Sequence, residues 1–147
     1  MKLSTRGRYG TRVLLDLALH QGREPVPLKE IAERQEISLQ YLEHLIAPLI
    51  SRGLVRSIRG AKGGILLAKR PEEIKLSEVI ELLEGSVAPV ECVDSPEICD
   101  RSAFCITRDV WGELKQAIAG VLESITIQDL VERYQQKTSL QQAMYHI

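Results

Sequence analysis

The sequence predicts a mainly α-helical chain with one small β-hairpin, and three observations predict it. Apolar residues recur at intervals of three and four through residues 13–49. Two short strand-like runs then flank a glycine-rich turn at residues 54–67, and a second long amphipathic run occupies residues 108–125. A length of 147 residues with 44% hydrophobic and 27% charged residues suits one domain, or a small domain with an extension whose apolar face needs a partner.

Residues 4–20 place Val13, Leu14, Leu17 and Ala18 on one stripe of a first helix, which Ser4 or Thr5 could cap. After the turn GREPVP, the run LKEIAERQ puts Leu28, Ile31 and Ala32 on one face of a second helix, and Ile37 packs before a new start. SLQYLEHLIAPLISRG gives the third: Ser38 is its N-cap, Leu42, Leu45, Ile46 and Leu49 point inward, and Gly53 ends it. Pro48 lies inside it. An interior proline costs about 3 kcal/mol, so a kink or a tightened last turn is expected there. Two helices across a short turn, the second opening in small and polar residues, make a helix-turn-helix pattern. LVRSIRGAKGGILLAK then predicts strands at 54–58 and 65–67 around RGAKGG, a wing whose glycines allow close approach to a nucleic-acid backbone. With a further helix at 76–83, residues 1–84 read as a winged helix-turn-helix domain.

Beyond it, residues 85–107 form a cysteine-bearing, helix-poor loop, residues 108–137 dimerisation helices and residues 138–147 a C-terminal tail. RDVWGELKQAIAGVLESI carries Trp111, Leu114, Ile118, Val121, Leu122 and Ile125, with Val110, in a stripe too broad for an isolated helix in water. A second copy is the economical cover, since two-fold dimers are the commonest oligomers and present two reading helices to a pseudo-palindromic site. Burial within one subunit stays open, because Leu130, Val131 and the helix at 76–83 could cover part of the stripe.

Charge divides the chain. Residues 1–70 carry thirteen Lys and Arg against six Asp and Glu, and residues 71–147 carry six against fourteen, hidden within a net charge of -1. The basic part suits a phosphate-binding surface, which would repel the acidic part. Apolar runs are too short for a membrane span, and the N-terminus shows no secretory pattern, so the reducing cytoplasm is the expected compartment. An enzyme is not expected. His20, His44 and His146 stand beside no nucleophile motif, and RGAKGG lacks the Lys-Ser/Thr of a phosphate-binding loop.

The three cysteines, Cys92, Cys99 and Cys105, are spaced C-x6-C-x5-C in an acidic segment. An odd number in a reducing compartment argues for metal ligation or thiol chemistry over a disulfide framework. Zinc sites favour paired C-x2-C spacings, which this segment lacks. A cluster held by thiolates and a cluster-free thiol switch both remain open.

The opening MKLSTRGRYG, the stretch VPLKEIAERQEISLQYLEHLIAPLISRGLV, the wing VRSIRGAKGG and the run ITIQDLV resemble the family of winged-helix transcription regulators that includes IscR, NsrR and CymR, over residues 1 to about 137. The resemblance implies a homodimer that binds a double-stranded DNA operator. It places base contacts at Ser38, Gln40, Tyr41 and Glu43 and wing contacts at Arg59 and Gly60. Gln40 could pair with adenine and Glu43 accept from a cytosine amino group; Arg6, Arg8, Arg56 and Lys62 suit backbone neutralisation. It also implies an iron-sulfur cluster on Cys92, Cys99 and Cys105, of the two-iron type in preference to the four-iron type. Where cluster-binding members place a histidine, three residues after the last cysteine, this chain has Arg108, which stays protonated and cannot ligate. An acidic ligand near the N-terminus, used elsewhere in the family, falls on or near Arg8. The fourth ligand is therefore open among Glu91, Asp94, Asp100, Asp109, a small thiol or water. An iron-sulfur carrier is a further alternative, separable by its lack of sequence-specific DNA binding.

Overall fold

The computed structural model of the chain describes residues 2–20 and 22–146. Helix α1 (Thr5–His20) starts where the Ser4 hydroxyl accepts the Gly7 N–H at 3.2 Å, so Ser4 supplies the cap, and its predicted stripe buries Val13, Leu14 and Leu17. Helix α2 (Leu28–Gln35) stops at Glu36, which takes left-handed angles of φ 55° and ψ 45°. That conformation lets the Ile37 N–H reach back to the Ala32 carbonyl at 3.1 Å and satisfy a helix-end acceptor. Helix α3 (Leu39–Ser51) opens at Ser38, whose hydroxyl accepts the Tyr41 N–H at 3.1 Å. It runs through Pro48. Of the two outcomes expected there the tightened end is found, with the Gly53 N–H donating to Ile50 O at 3.0 Å.

The hairpin follows with β1 (Val55–Ile58) antiparallel to β2 (Gly64–Leu67), Val55 opposite Leu67 and Ile58 opposite Gly64. Val26 and Ile65 exchange both backbone hydrogen bonds at 2.9 Å, so the segment before α2 forms a one-residue third strand. Gly64, at φ 159°, makes room for it: a Cβ there would stand 2.2 Å from the Val26 carbonyl oxygen. At the tip Gly60 adopts φ 116°, outside the range of ordinary L residues.

Helix α4 (Leu76–Glu84) lies along α1, and its last residue returns to the N-terminal segment: Glu84 Oε1 accepts the Ser4 N–H at 2.7 Å and the Ser4 hydroxyl at 2.5 Å. The cysteine segment, expected as a helix-poor loop, holds a one-turn helix α5 (Glu91–Asp94) and 3-10 turns at Pro96–Ile98 and Ser102–Phe104. Two long helices complete the chain, α6 (Ile106–Glu123) and α7 (Ile127–Tyr145). Helix α6 thus starts two residues before the expected boundary at 108. The tail expected from 138 is helical through Tyr145, because Lys137 to Tyr145 contains neither proline nor glycine to stop α7; residue 147 lies outside the described residues.

One core joins these elements. Val13, Leu14 and Leu17 meet Ile31, Leu42, Leu45, Leu49, Leu54, Val55, Ile65, Val79 and Leu83, and Ile127 at the start of α7 is fully buried among them. Burying that isoleucine is worth about 1.5–3 kcal/mol. Thr126 caps α7 with Asp129 in a reciprocal box, and the corner before it is stitched to residues 74–76: Ile127 N–H donates to Ile74 O, and Leu76 N–H to Ile125 O, both at 2.9 Å. The expected division at residue 84 therefore crosses a shared core, which ITIQDLV re-enters. Among the described residues no helix is long and apolar enough to cross a membrane.

Candidate nucleic-acid interface and cysteine segment

Helix α3 presents two faces. Leu42, Leu45, Ile46 and Leu49 are buried, while Ser38, Gln40 and Glu43 are exposed on the first two turns. Tyr41 is half-buried, its ring meeting Tyr9 of α1 edge-on with centroids 6.1 Å apart. The guanidinium of Arg12 lies 4.7 Å from the Tyr9 ring centre, and that of Arg8 lies 5.9 Å away. The start of α1, with the exposed Arg6 and Arg8, is thereby held beside the first turns of α3. Tyr41, expected to offer its hydroxyl to DNA, thus also packs into this junction. On the hairpin, Arg56, Arg59, Gly60 and Lys62 are all exposed. Lys62 also borders a shallow depression with His20, Arg23, Glu24 and Glu30, so Arg23 adds a cation beside the wing that sequence reading passed over.

A buried acid sets the position of this unit. Asp16, 1% exposed on α1, accepts from Arg34 Nε at 3.0 Å, Arg34 Nη2 at 2.7 Å and Gln35 Nε2 at 2.8 Å. Arg12 closes the group with bonds of 2.9 Å to the Gln35 side chain and to its backbone carbonyl. Burial pushes the Asp16 carboxyl upward, but the Arg34 and Gln35 hydrogen bonds and the charges of Arg34 and His20 outweigh it, leaving the group below its ordinary value. Arg34 and Gln35 are the last residues of α2, so this cluster fixes the helix end from which the chain turns into α3. Sequence periodicity carries no sign of it, because the partners lie eighteen and nineteen residues apart on different helices.

The cysteines stand in three settings. Cys92 is half-buried in α5, Cys99 is exposed between the two 3-10 turns, and Cys105 is half-buried as the N-terminal flank of α6. The Thr107 hydroxyl, 3.2 Å from Cys105 Sγ, and the backbone N–H groups of Arg108 and Thr107 pull that thiol below its usual range against desolvation and, more weakly, the charge of Asp109. Arg108 Nε donates to the Cys92 carbonyl at 2.8 Å. Lys115, two turns further along α6, bonds Asp94 at 2.5 Å; with Ser86 it holds the Asp94 carboxyl below the usual carboxylate range. Among the described residues no three of His, Cys, Asp and Glu come together to hold a metal ion. The trio expected as a ligand set is thus not gathered in this conformation.

Along α6 no residue is fully buried. Trp111 is 39% and Val121 58% exposed, while Leu114 and Ile118 are half-buried. Leu122 and Ile125, expected at the dimer interface, pack against the chain's own core. Phe104 and Ile106, 87% and 76% exposed, extend the uncovered apolar surface beyond the stripe read from sequence.

The profile of the Rrf2 family, described as iron-dependent transcriptional regulators, matches residues 3–133. Protein rrf2 of Nitratidesulfovibrio vulgaris is 47% identical over 131 residues, covering 89% of this chain and 87% of its own. Among solved structures, CymR, the global cysteine regulator of B. subtilis, superposes with a TM-score of 0.76 at 38% identity, over 90% of this chain and 98% of its own. IscR of T. potens gives 0.75 at 44% identity, over 91% and 88%. These relatives are regulators of transcription and not enzymes, and the two solved structures match the helical fold with its small hairpin over about nine-tenths of this chain. The chain belongs to the Rrf2 family of DNA-binding transcription regulators.

Proposed function

We propose that this chain is a homodimeric, sequence-specific regulator of the reducing cytoplasm whose cysteine segment is its sensory element. The observation that carries the reading is the two-faced α3: Ser38, Gln40 and Glu43 lie exposed on one side of a helix whose other side is core, with arginines of α1 and the wing's Arg56, Arg59 and Lys62 also exposed in the same basic part of the chain. Polar side chains at a helix start read base edges, and flexible cations hold phosphates. Exposed Val121 and Trp111 support a second copy on α6, which would present two reading helices to a pseudo-palindromic operator.

Cys92, Cys99 and Cys105 are the residues that would hold an iron-sulfur cluster, preferably of the two-iron type, and such a group would supply a redox- and iron-dependent charge to the segment. The ungathered thiols require the segment to rearrange first, and the fourth ligand stays open. A cluster-free thiol switch is the second reading, favoured by the hydrogen bonds that stabilise the Cys105 thiolate.

Selection of random duplexes followed by a salt titration tests the DNA reading. One enriched consensus is expected, and Arg59→Ala should weaken binding and flatten the log-log salt slope by about one phosphate contact. Absence of any enriched sequence would refute it. Anaerobic purification with visible absorbance and iron counting separates the two sensing readings: a colourless, iron-free protein after reconstitution leaves the thiol switch.

A further inference from the structure

Helix α6 grips the cysteine segment with two cations spaced seven residues apart, hence on one side of the helix. Arg108 Nε holds the Cys92 carbonyl at 2.8 Å, and Lys115 Nζ holds the Asp94 carboxylate at 2.5 Å, so both ends of the short helix α5 are fastened to α6. Arg108 also follows Cys105 by three residues. Its bond therefore joins the first cysteine of the segment to the turn that carries the last. Cys99 lies between, exposed.

We infer that Arg108 is a positioning residue: a clasp that closes the 92–105 segment without metal, shields Cys92 and keeps the three thiols apart. The chemistry fits that role. A charged donor to a backbone carbonyl is stronger than a neutral one, and the half-buried site limits competition from water. Closing a loop of this length has an entropic cost, which a metal ion would otherwise offset through its ligands. Here the guanidinium and ammonium groups perform the closure. Any group bound by all three thiolates must draw Cys92 and Cys99 together and so compete with the clasp. This second consequence rests on the metal-binding reading of the segment, while the clasp itself does not.

Timed alkylation of the reduced, metal-free full chain with N-ethylmaleimide, resolved by peptide mass spectrometry, tests the clasp. In Arg108→Ala the modification rate of Cys92 should rise on the order of tenfold, the loss of one charge-assisted hydrogen bond. Cys99 should react as in the wild type. Arg108→Gln, which keeps a donor without the charge, should fall between, and Lys115→Ala should raise the Cys92 rate in the same direction. An unchanged Cys92 rate in Arg108→Ala overturns the clasp, as does an equal rise at Cys92 and Cys99, which would mean general loosening. Far-ultraviolet circular dichroism of each variant identifies a folding defect.

Titration with Co²⁺ alone, read by thiolate charge-transfer absorbance, tests the competition. Tighter binding by Arg108→Ala than by the wild type supports it; equal or weaker binding overturns it. No charge-transfer band in either protein refutes the metal reading and the competition together, and the Cys92 alkylation rate still decides the clasp.

Discussion

Replacing Asp16 with alanine should cost this protein about 2–3 kcal/mol. The side chain is 1% exposed and accepts three hydrogen bonds, two from the Arg34 guanidinium and one from the Gln35 amide. Breaking a fully buried ion pair costs about 3–5 kcal/mol because the orphaned charge stays out of water. Arg34 is 31% exposed and can turn to solvent, which brings the figure down. For a chain of this size the loss lowers the melting temperature by roughly 5–10 °C. Urea unfolding followed by circular dichroism, repeated from pH 7 to pH 3, measures it. Asp16→Asn, which keeps the volume and one acceptor, should lose about half as much.

The folded pKa of Asp16 lies below its ordinary value. The carboxylate's contribution is accordingly full above the unfolded aspartate value of about 3.9 and disappears as pH falls through the folded value. The gap between wild type and Asp16→Asn should stay constant from pH 7 to about pH 5 and close on further acidification. A cost below about 0.5 kcal/mol for the alanine variant, or a gap that widens in acid, would refute the reasoning.

Two other perturbations test separate parts of the fold. Glu36→Gly relieves a left-handed residue that bears a Cβ, a cost of about 1–2 kcal/mol, against the extra entropy of an unfolded glycine of about 0.5–1 kcal/mol. Thermal melting should rise by about 2 °C, and a fall would show that Glu36 is not strained. Val121→Asp puts a charge on the uncovered face of α6, so self-association measured by sedimentation should weaken by at least about tenfold while the monomer's melting is unchanged; unaltered association would move the interface elsewhere.

The elements were legible wherever a local pattern generates them. Period-three-and-four stripes gave the helices their buried residues, Ser38 and Gly53 marked the ends of α3, and RGAKGG marked the hairpin turn. Hidden from that reading were contacts between distant segments. Nothing near Asp16 announces Arg34, nothing near Glu84 announces Ser4, and nothing in ITIQDLV says that Ile127 fills the core of the reading domain. The left-handed Glu36 was equally invisible, because glycine is the residue that signals such a turn. In the cysteine segment the spacing identified the thiols but not their separation. Residue type alone marks Arg108 as unable to ligate, and its bond to the Cys92 carbonyl depends on where α5 lies against α6.

The bond pair between Val26 and Ile65 reaches beyond the hairpin. A two-stranded ribbon alone is marginal in water and would flex about its base. Fastened to the segment that leads into α2, β2 is tied to the helical body, and residues 59–63 at the tip lie beyond the paired register. The span from the start of α3 to the tip is then set by the fold like the jaws of a caliper. On the proposed operator such a gauge measures the offset between the groove read by the helix and the backbone touched by the wing. Under that proposal, a duplex whose groove widths differ from that span would be penalised even when its bases match.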